Sequence, residues 1–451
     1  MVALCLGFFM IMMDATVVNT ALPVIGRELS ASVSGLQWVV DGYTLVFACL
    51  LLSGGSLGDR LGARRVFLTG LVLFTAASAA CGFAPTLAAL NTARVAQGVG
   101  AALVLPTSLA LINASFPDRE RRVRAIGMWG GFGGVAAGLG PVVGGALTSA
   151  VGWRAVFYVN VPIGIVALLL TLAYVVAPRP KGRSRLDPLG QVLAVVTVAA
   201  LAFGLIEGGA RGWTTGPVLV AYAVTVVGAL GFVVNEHRQA DPMLPPRLFR
   251  VREFSGAIAV GAAINTGFYG QLFLMSLYLQ HVRHFSPLLA GLALLPMPGA
   301  TSIASTLAGR HNARRGPRGV MLVGLGVGAL GLFAMFFTSA TSPYWALLPA
   351  FLALGFGTGY TMPAATAAAI EAAPDRQAGT ASGAFNASRQ LGSTLGVAVF
   401  GALVASLGGI LGALHVSVLV GGLAYAAGAV VTAIAVPRRN TTANSPVDSG
   451  S

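Results

Sequence analysis

The stretch Gly98-Val-Gly100-Ala-Ala-Leu-Val-Leu-Pro106-Thr-Ser-Leu-Ala-Leu-Ile-Asn-Ala-Ser-Phe-Pro117-Asp118-Arg119 returns in outline 257 residues later. Its marked positions become Gly355, Gly357, Pro363, Pro374, Asp375 and Arg376, and Gly144 beyond them becomes Gly401. Glycine matches alone arise by chance in a chain holding 60 glycines, but a shared Pro-Asp-Arg closing an apolar run is harder to dismiss. Each copy is long and apolar enough to cross the ~30 Å hydrocarbon core of a bilayer, which takes about 20 residues. A parallel half-repeat in a membrane-spanning chain is a transporter architecture.

Similar runs fill the rest of the chain. The pattern predicts spanning helices over 2–24, 38–58, 66–84, 87–112, 124–148, 155–177, 188–208 and 217–236, then 255–280, 287–308, 319–338, 344–369, 381–405 and 411–436. The 451 residues are 56% hydrophobic and only 9% charged, with a mean hydropathy of +0.80. Soluble domains carry roughly 25% charged residues, so this chain cannot clothe a water-facing surface. The repeat aligns the fourth and fifth spans with the twelfth and thirteenth, which leaves two spans over in the middle. The expected fold is an all-α polytopic membrane protein of two six-helix bundles, residues 1–177 and 253–436. A linker over 178–252 carries the two extra helices, and 437–451 form a disordered cytoplasmic tail.

The net charge of +14 is arginine, with Lys181 the one lysine, and it is clustered between spans. With the N-terminus in the cytoplasm, 22 of the 28 basic residues fall in cytoplasmic loops or the tail and four in outer loops; Arg94 and Arg389 lie inside spans. That alternation is the positive-inside signal of a multi-pass protein of the cell membrane with both termini cytoplasmic, and not a nucleic-acid footprint. The first span lacks a basic leader and a small-residue cleavage site, so it is expected to be retained. Cys5, Cys49 and Cys81 lie singly in apolar runs, with no metal or disulfide spacing. No metal or cofactor is expected, and the chain is expected to act as a monomer.

Charged groups inside spans point to function, because an arginine there costs about 2.5–3.5 kcal/mol and calls for a partner. The fourth span carries Leu90-x-x-x-Arg94-x-x-Gln97-Gly98-x-Gly100. Its repeat counterpart to Arg94 is Phe351, so the architecture does not demand the charge. The first span carries Asp14-Ala-Thr16-Val-Val-Asn19-Thr-Ala21-Leu22-Pro23. Asp14 is ~18 Å from the cytoplasmic end of its helix and Arg94 ~10 Å from the outer end of its own, at 1.5 Å per residue. The two therefore lie at similar depth. An Asp–Arg pair that opens and closes swings the carboxylate's affinity for a proton, although a permanent structural pair reads equally from depth alone. Asp41, in Gln37-Trp38-Val-Val-Asp41-Gly-Tyr43, is a second candidate acid, or else a group solvated at the outer mouth. Glu207 and Glu371 sit at helix ends and read as interfacial.

The loop after the second span reads Gly55-Ser-Leu57-Gly-Asp59-Arg60-Leu-Gly62-Ala-Arg64-Arg65. Glycines admit close helix approach, and a carboxylate at a helix end can latch onto a neighbouring helix N-terminus or arginine. Gly55, Asp59, Arg60, Gly62 and Arg64 are the candidate gate. In the fifth span, Gly138-Leu-Gly140-Pro141-Val-Val-Gly144-Gly145 combines small residues at helical spacing with a proline that removes a backbone hydrogen bond. Polar side chains within spans, Asn19, Gln97, Asn386 and Arg389, are candidates to line a substrate cavity.

These motifs resemble those of the major facilitator superfamily. The loop at Gly55–Arg65 is similar to its signature loop, with Ala63 where a basic residue is usual. The Gly140–Gly145 stretch is similar to its antiporter motif, with Ala136 at the usual first glycine. Gly152-Trp153-Arg154, Phe157-Tyr158-Val-Asn160-Val-Pro162-Ile-Gly164 and Asn386-x-x-Arg389-Gln390-Leu-Gly392 complete a resemblance to the fourteen-helix drug:proton antiporter family. The resemblance implies alternating access between two bundles, proton coupling at the Asp14 and Arg94 positions, and a cavity for hydrophobic, often cationic antibiotics. The second half offers no clear carboxylate within the membrane, which speaks against dication selectivity built on extra acids.

The expected function is proton-coupled efflux of drug-like small molecules, with no enzymatic activity. The same fold moving a specific metabolite, lipid or peptide is the alternative. Gly54-Gly-Ser56-Leu-Gly58 fits a G-x-S-x-G pattern but straddles a helix end with no histidine at its level. Glycine runs such as Gly131-Phe-Gly133 lie inside spans and cannot cradle a phosphate.

Overall fold

The computed structural model describes residues 1–116, 118–176, 187–239, 242–374 and 377–437; Pro117, the basic stretch 177–186, Asp375, Arg376 and the tail from residue 438 lie outside these. Fourteen helices among the described residues are long and apolar enough to cross a membrane. They are α1 (Val2–Glu28), α2 (Val33–Leu61), α3 (Ala63–Phe83), α4 (Leu87–Ser115), α5 (Arg119–Ala150), α6 (Ala155–Tyr174), α7 (Pro188–Arg211) and α8 (Gly216–Arg238). After these come α9 (Arg252–Val282), α10 (Pro287–Asn312), α11 (Pro317–Phe337), α12 (Tyr344–Glu371), α13 (Ala378–Leu407) and α14 (Ile410–Ala435).

Several helices outrun their apolar stretch, because lipid offers nothing to an unpaired peptide group and the helix persists to the headgroups. The 29 residues of α2 reach ~43 Å, hydrocarbon plus interface. Side-chain caps then close the free N–H groups. Ser32 accepts from Gly35 (3.3 Å), Asp118 from Arg121 (2.8 Å) and Ser286 from Leu289 (3.3 Å). Gly62 alone separates α2 from α3, at φ 96°, a conformation closed to most L-residues.

The helices form two six-helix bundles and an inserted pair. In the first bundle α1 packs on α5 and α6, and α4 on α2 and α3. In the second, α9 packs on α13 and α14, and α12 on α10 and α11. The repeated glycines are where backbones touch. A Cβ on Gly98 would sit 2.7 Å from the Tyr43 carbonyl of α2, and one on Gly357 would sit 2.5 Å from Cα of Gly328 on α11. Without a hydrophobic drive between helices in lipid, such close approach supplies much of the adhesion.

The bundles meet crosswise, α2 on α13 and α5 on α10, with α1 beside α9. Their shared hydrogen bonds lie away from the arginine-rich loops. Gln37 donates to the carbonyls of Val397 (3.1 Å) and Ala398 (2.8 Å), Ser276 to Asn19 (2.6 Å), and Gln280 to Thr20 (2.9 Å). On the α5–α10 seam, Gly138 makes a late approach, 3.7 Å from Pro298 for a built Cβ. Towards the arginine-rich end, Gly134, Gly131 and Gly127 on the same stripe meet nothing within 4 Å, nor do Gly299 and Gly309 of α10. α2 and α13 still touch deeper in, at Leu52 and Gly383. The cleft between the bundles is closed at the opposite end and open at the arginine-rich end.

The inserted pair leans on both bundles. Gln191 of α7 donates to the carbonyl of Cys49 (2.9 Å) and accepts from Ser53, both on α2. Further along, Gly209 of α7 lies against Ala402 of α13. α8 packs on α7, with the Tyr222 hydroxyl donating to the Gly204 carbonyl (3.0 Å).

Candidate functional site

The interior of the first bundle holds a polar cluster drawn from five helices. The Asp14 carboxylate of α1 takes a hydrogen bond and ion pair from Arg94 Nη1 of α4 at 2.5 Å. Its other oxygen accepts from Gln97 Nε2 and Asn160 Nδ2, each at 2.9 Å. Both amides also donate to Ser78 Oγ of α3 at 3.1 Å, and that hydroxyl donates to the Phe157 carbonyl of α6 at 2.9 Å. Arg94 is engaged on all sides. Its Nε donates to the Val39 carbonyl (2.9 Å), Nη1 also to Gln97 Oε1 (2.8 Å), and the guanidinium lies 4.3 Å over the Tyr43 ring of α2. Asp14 is 0% and Arg94 1% exposed.

The sequence dictates this locally. Arg94 and Gln97 stand three apart on α4 and so share a face. Gly98 and Gly100 bring α2 and α3 against that helix, which carries Tyr43 and Ser78 into range. The position matching Arg94 in the second bundle, Phe351, is a fully buried core residue. The polar cluster is therefore an addition to the scaffold, and an expensive one. Losing one partner of a buried pair costs about 3–5 kcal/mol, since an uncompensated charge remains.

Asp41 is not at a solvated mouth. It is fully buried on the α2 face that also carries Gln37 and Thr44, the face turned to α13. Its Oδ1 accepts from Thr44 Oγ1 at 3.4 Å, Thr44 meets Thr394 of α13 at 3.1 Å, and Oδ2 has no hydrogen-bond partner. No ion pair holds it among the described residues.

The glycine–proline stretch of α5 is wedged between two helices. Gly140 and Gly144 lie against Thr16, Val17 and Thr20 of α1, where side chains would overlap. On the other face, Gly145 abuts the Pro287 carbonyl and Pro141 presents its own carbonyl to Gly291, both on α10. At the arginine-rich end, Gly55 and Gly58 face Pro106 and Thr107 of α4, and Arg64 Nη2 donates to the Leu172 carbonyl of α6 (3.0 Å). Asp59 and Arg60 are exposed, and Asp59 has no ion pair among the described residues. At the opposite end Glu28 of α1 accepts from Trp153 (2.8 Å) and Arg154 (3.2 Å), which ties the α5–α6 turn to α1.

The four residues proposed from sequence to line a cavity divide in two. Asn19 is buried against its own helix and α9, and Gln97 is consumed by the Asp14 cluster. Asn386 and Arg389 are half-buried on α13, with Arg389 Nη1 donating to Asn386 Oδ1 at 3.4 Å. Sequence reasoning passed over Ser78 altogether, and quoted Asn160 and Tyr43 only as parts of motifs. A polar residue in an otherwise apolar span was the one signal available for Ser78.

Residues 4–397 match the family model of the Major Facilitator Superfamily. The chain is 40% identical over 426 residues to the methylenomycin A resistance protein of Streptomyces coelicolor, covering 94% of this chain and 90% of that one. It is 41% identical over 406 residues to the multidrug resistance protein Stp of Mycobacterium tuberculosis, covering 90% and 75%. Among solved structures it is similar to a POT family transporter bound to a thioalcohol-conjugated peptide. The TM-score is 0.71 at 13% identity, covering 97% and 96% of the two chains, a likeness of fold alone.

Proposed function

This chain belongs to the Major Facilitator Superfamily, and from that premise we propose that it exports antibiotic-like small molecules from the cytoplasm in exchange for protons. The arginine-rich end is then cytoplasmic, with both termini there, as the loop charges require in a cell membrane. The bundles, residues 1–177 and 253–436, rock about the seams where Gly140–Gly145 meets α1 and α10. Relatives named for methylenomycin A and multidrug resistance, each matching nine-tenths or more of this chain, support the cargo class.

The observation that carries the coupling is the buried carboxylate of Asp14 bonded at once to Arg94, Gln97 and Asn160. In the cytoplasm-open arrangement this cluster suits a bare carboxylate. Opening the other end admits a proton from outside, which weakens the tie to Arg94, and the return movement carries the proton inward. Asp41 works in the complementary sense. Sealing the outer end buries it without a counter-charge, which is costly for a carboxylate and far less so for a neutral acid. Closure of the outer gate is thereby tied to taking up a proton at that position. Asp59 and Arg60, exposed while the cytoplasmic end is open, latch that end when it closes.

The test is transport, in proteoliposomes under an imposed pH gradient, of two fluorescent compounds, the cation ethidium and the anion 8-anilinonaphthalene-1-sulfonate. Asp14→Asn should abolish gradient-driven movement while the purified variant keeps its elution profile and helical content. Wild-type rates from that variant would remove Asp14 from the mechanism, and a wild-type protein indifferent to the gradient would end the antiport reading.

A further inference from the structure

Among the described residues Arg389 has no counter-charge. It stands eleven residues into α13, ~16 Å along the helix from the cytoplasmic end, in the middle of the membrane. Its guanidinium carries five N–H donors in a planar fork. Nη1 reaches the neutral amide oxygen of Asn386 at 3.4 Å, and the buried Nε has no acceptor. The contrast with Arg94 is direct: that arginine holds a carboxylate, a carbonyl, an amide and an aromatic face. Nor can a hidden acid serve. Among the described residues between 252 and 437 the acidic ones are Glu253 and Glu371, both at the arginine-rich end of the bundle; Asp375 lies outside the described residues.

The surroundings are built to hold the side chain in place. Gly261 of α9 leaves room for its stem, since a Cβ there would lie 3.3 Å from Arg389 Cγ. On α13, Asn386 and Arg389 lie between the stripe that meets α9, at Phe385 and Gly392, and the stripe that meets α2, at Gly383 and Thr394, and so on the face turned to the cleft. At the repeat offset the matching residue is Phe132, so this charge too is added to the scaffold. A cation held half-buried, mostly unbonded and beside an open cleft is completed by an anion that comes and goes.

We propose that Arg389, with Asn386 beside it, is an anion-recognising subsite that takes the carboxylate or sulfonate of a small, otherwise apolar organic molecule. The oxyanion bonds to the guanidinium fork, and the Asn386 amide offers a neutral hydrogen bond at its edge. This rests on the export reading and narrows its cargo: the second bundle selects for a negative group, where the resemblance alone suggested cations.

The experiment uses the full chain in lipid nanodiscs and two probes sharing one ring system, naphthalene-2-sulfonate and the neutral naphthalene-2-sulfonamide. Binding is measured by calorimetry. The wild type should bind the sulfonate about tenfold more tightly than the sulfonamide, as one charge-assisted pair provides. Arg389→Gln should erase that preference with sulfonamide binding unchanged, and Arg389→Lys should keep part of it. Equal binding of the two probes by the wild type, or a preference that survives Arg389→Gln, overturns the proposal. Gradient-driven movement of the sulfonate in proteoliposomes is scored separately. Charge-selective binding without movement leaves the subsite standing and counts against the export reading.

Discussion

Gly291 of α10 lies so close to the Pro141 carbonyl of α5 that a methyl group on it would overlap that oxygen. The two residues belong to different bundles, so the contact contributes to the closed end opposite the arginine-rich loops, the outer end on the export reading, and not to the fold of either bundle. Gly291→Val should overpack the seam by about 1–3 kcal/mol. That shifts the balance towards the outward-open arrangement by about one to two powers of ten. Spin labels across the outer mouth, read by pulsed EPR, should report a longer mean distance with unchanged helical content. An unaltered distance distribution would show that the seam does not set the balance.

Asn160 supplies one of three side-chain bonds to the Asp14 carboxylate. Removing it leaves a buried acceptor short of one donor, at about 1–3 kcal/mol. Asn160→Ala should therefore slow gradient-driven export by about tenfold while the purified variant stays folded. Export at the wild-type rate would mean that the bond is structural only.

Arg94 and Asp14 should show strong coupling in stability. Arg94→Leu alone strands a buried carboxylate and should cost about 3–5 kcal/mol at neutral pH, with a smaller loss in acid, where the acid is buried neutral. Adding Asp14→Asn should restore much of the loss. Thermal unfolding of the two single variants and the double variant at two pH values gives the cycle, and simple additivity would contradict a direct pair.

Asp59 is exposed and has no ion pair among the described residues in this state, in which the arginine-rich end stands open. Asp59→Asn should leave the melting temperature of this state nearly unchanged, within about 0.5 kcal/mol of stability, while slowing turnover. A large loss of stability, or turnover at the wild-type rate, would argue against a latch that forms only on closure.

The span count, the inserted pair and the repeat were all legible from the chain, because each depends on local hydropathy or on spacing. So was the meeting of Asp14 with Arg94, since depth along two helices is simple arithmetic. Rotation about a helix axis is different, being decided by packing against neighbours. Asn19 and Gln97 were accordingly proposed for a cavity, yet face other helices, whereas Ser78 turns its hydroxyl into the polar cluster. Asp41 read as a second candidate acid or as a group solvated at the outer mouth, and its distance to the helix end does not decide between them. Only the approach of α13 shows that it is sealed in.

The α7–α8 pair has a consequence for the lipid around the molecule. It lies along the flank where α2 meets α13, bonded to one at Gln191 and resting on the other at Gly209. Among the described residues the flank where α5 meets α10 has no such cover, and its half towards the arginine-rich loops stands apart. Acyl chains of the leaflet on that side are therefore screened from the cleft on one flank and adjoin it on the other. On the export reading, a compound dissolved in that leaflet meets a doorway on the uncovered flank, and the two flanks of a nearly symmetric machine are not equivalent to the membrane that surrounds it.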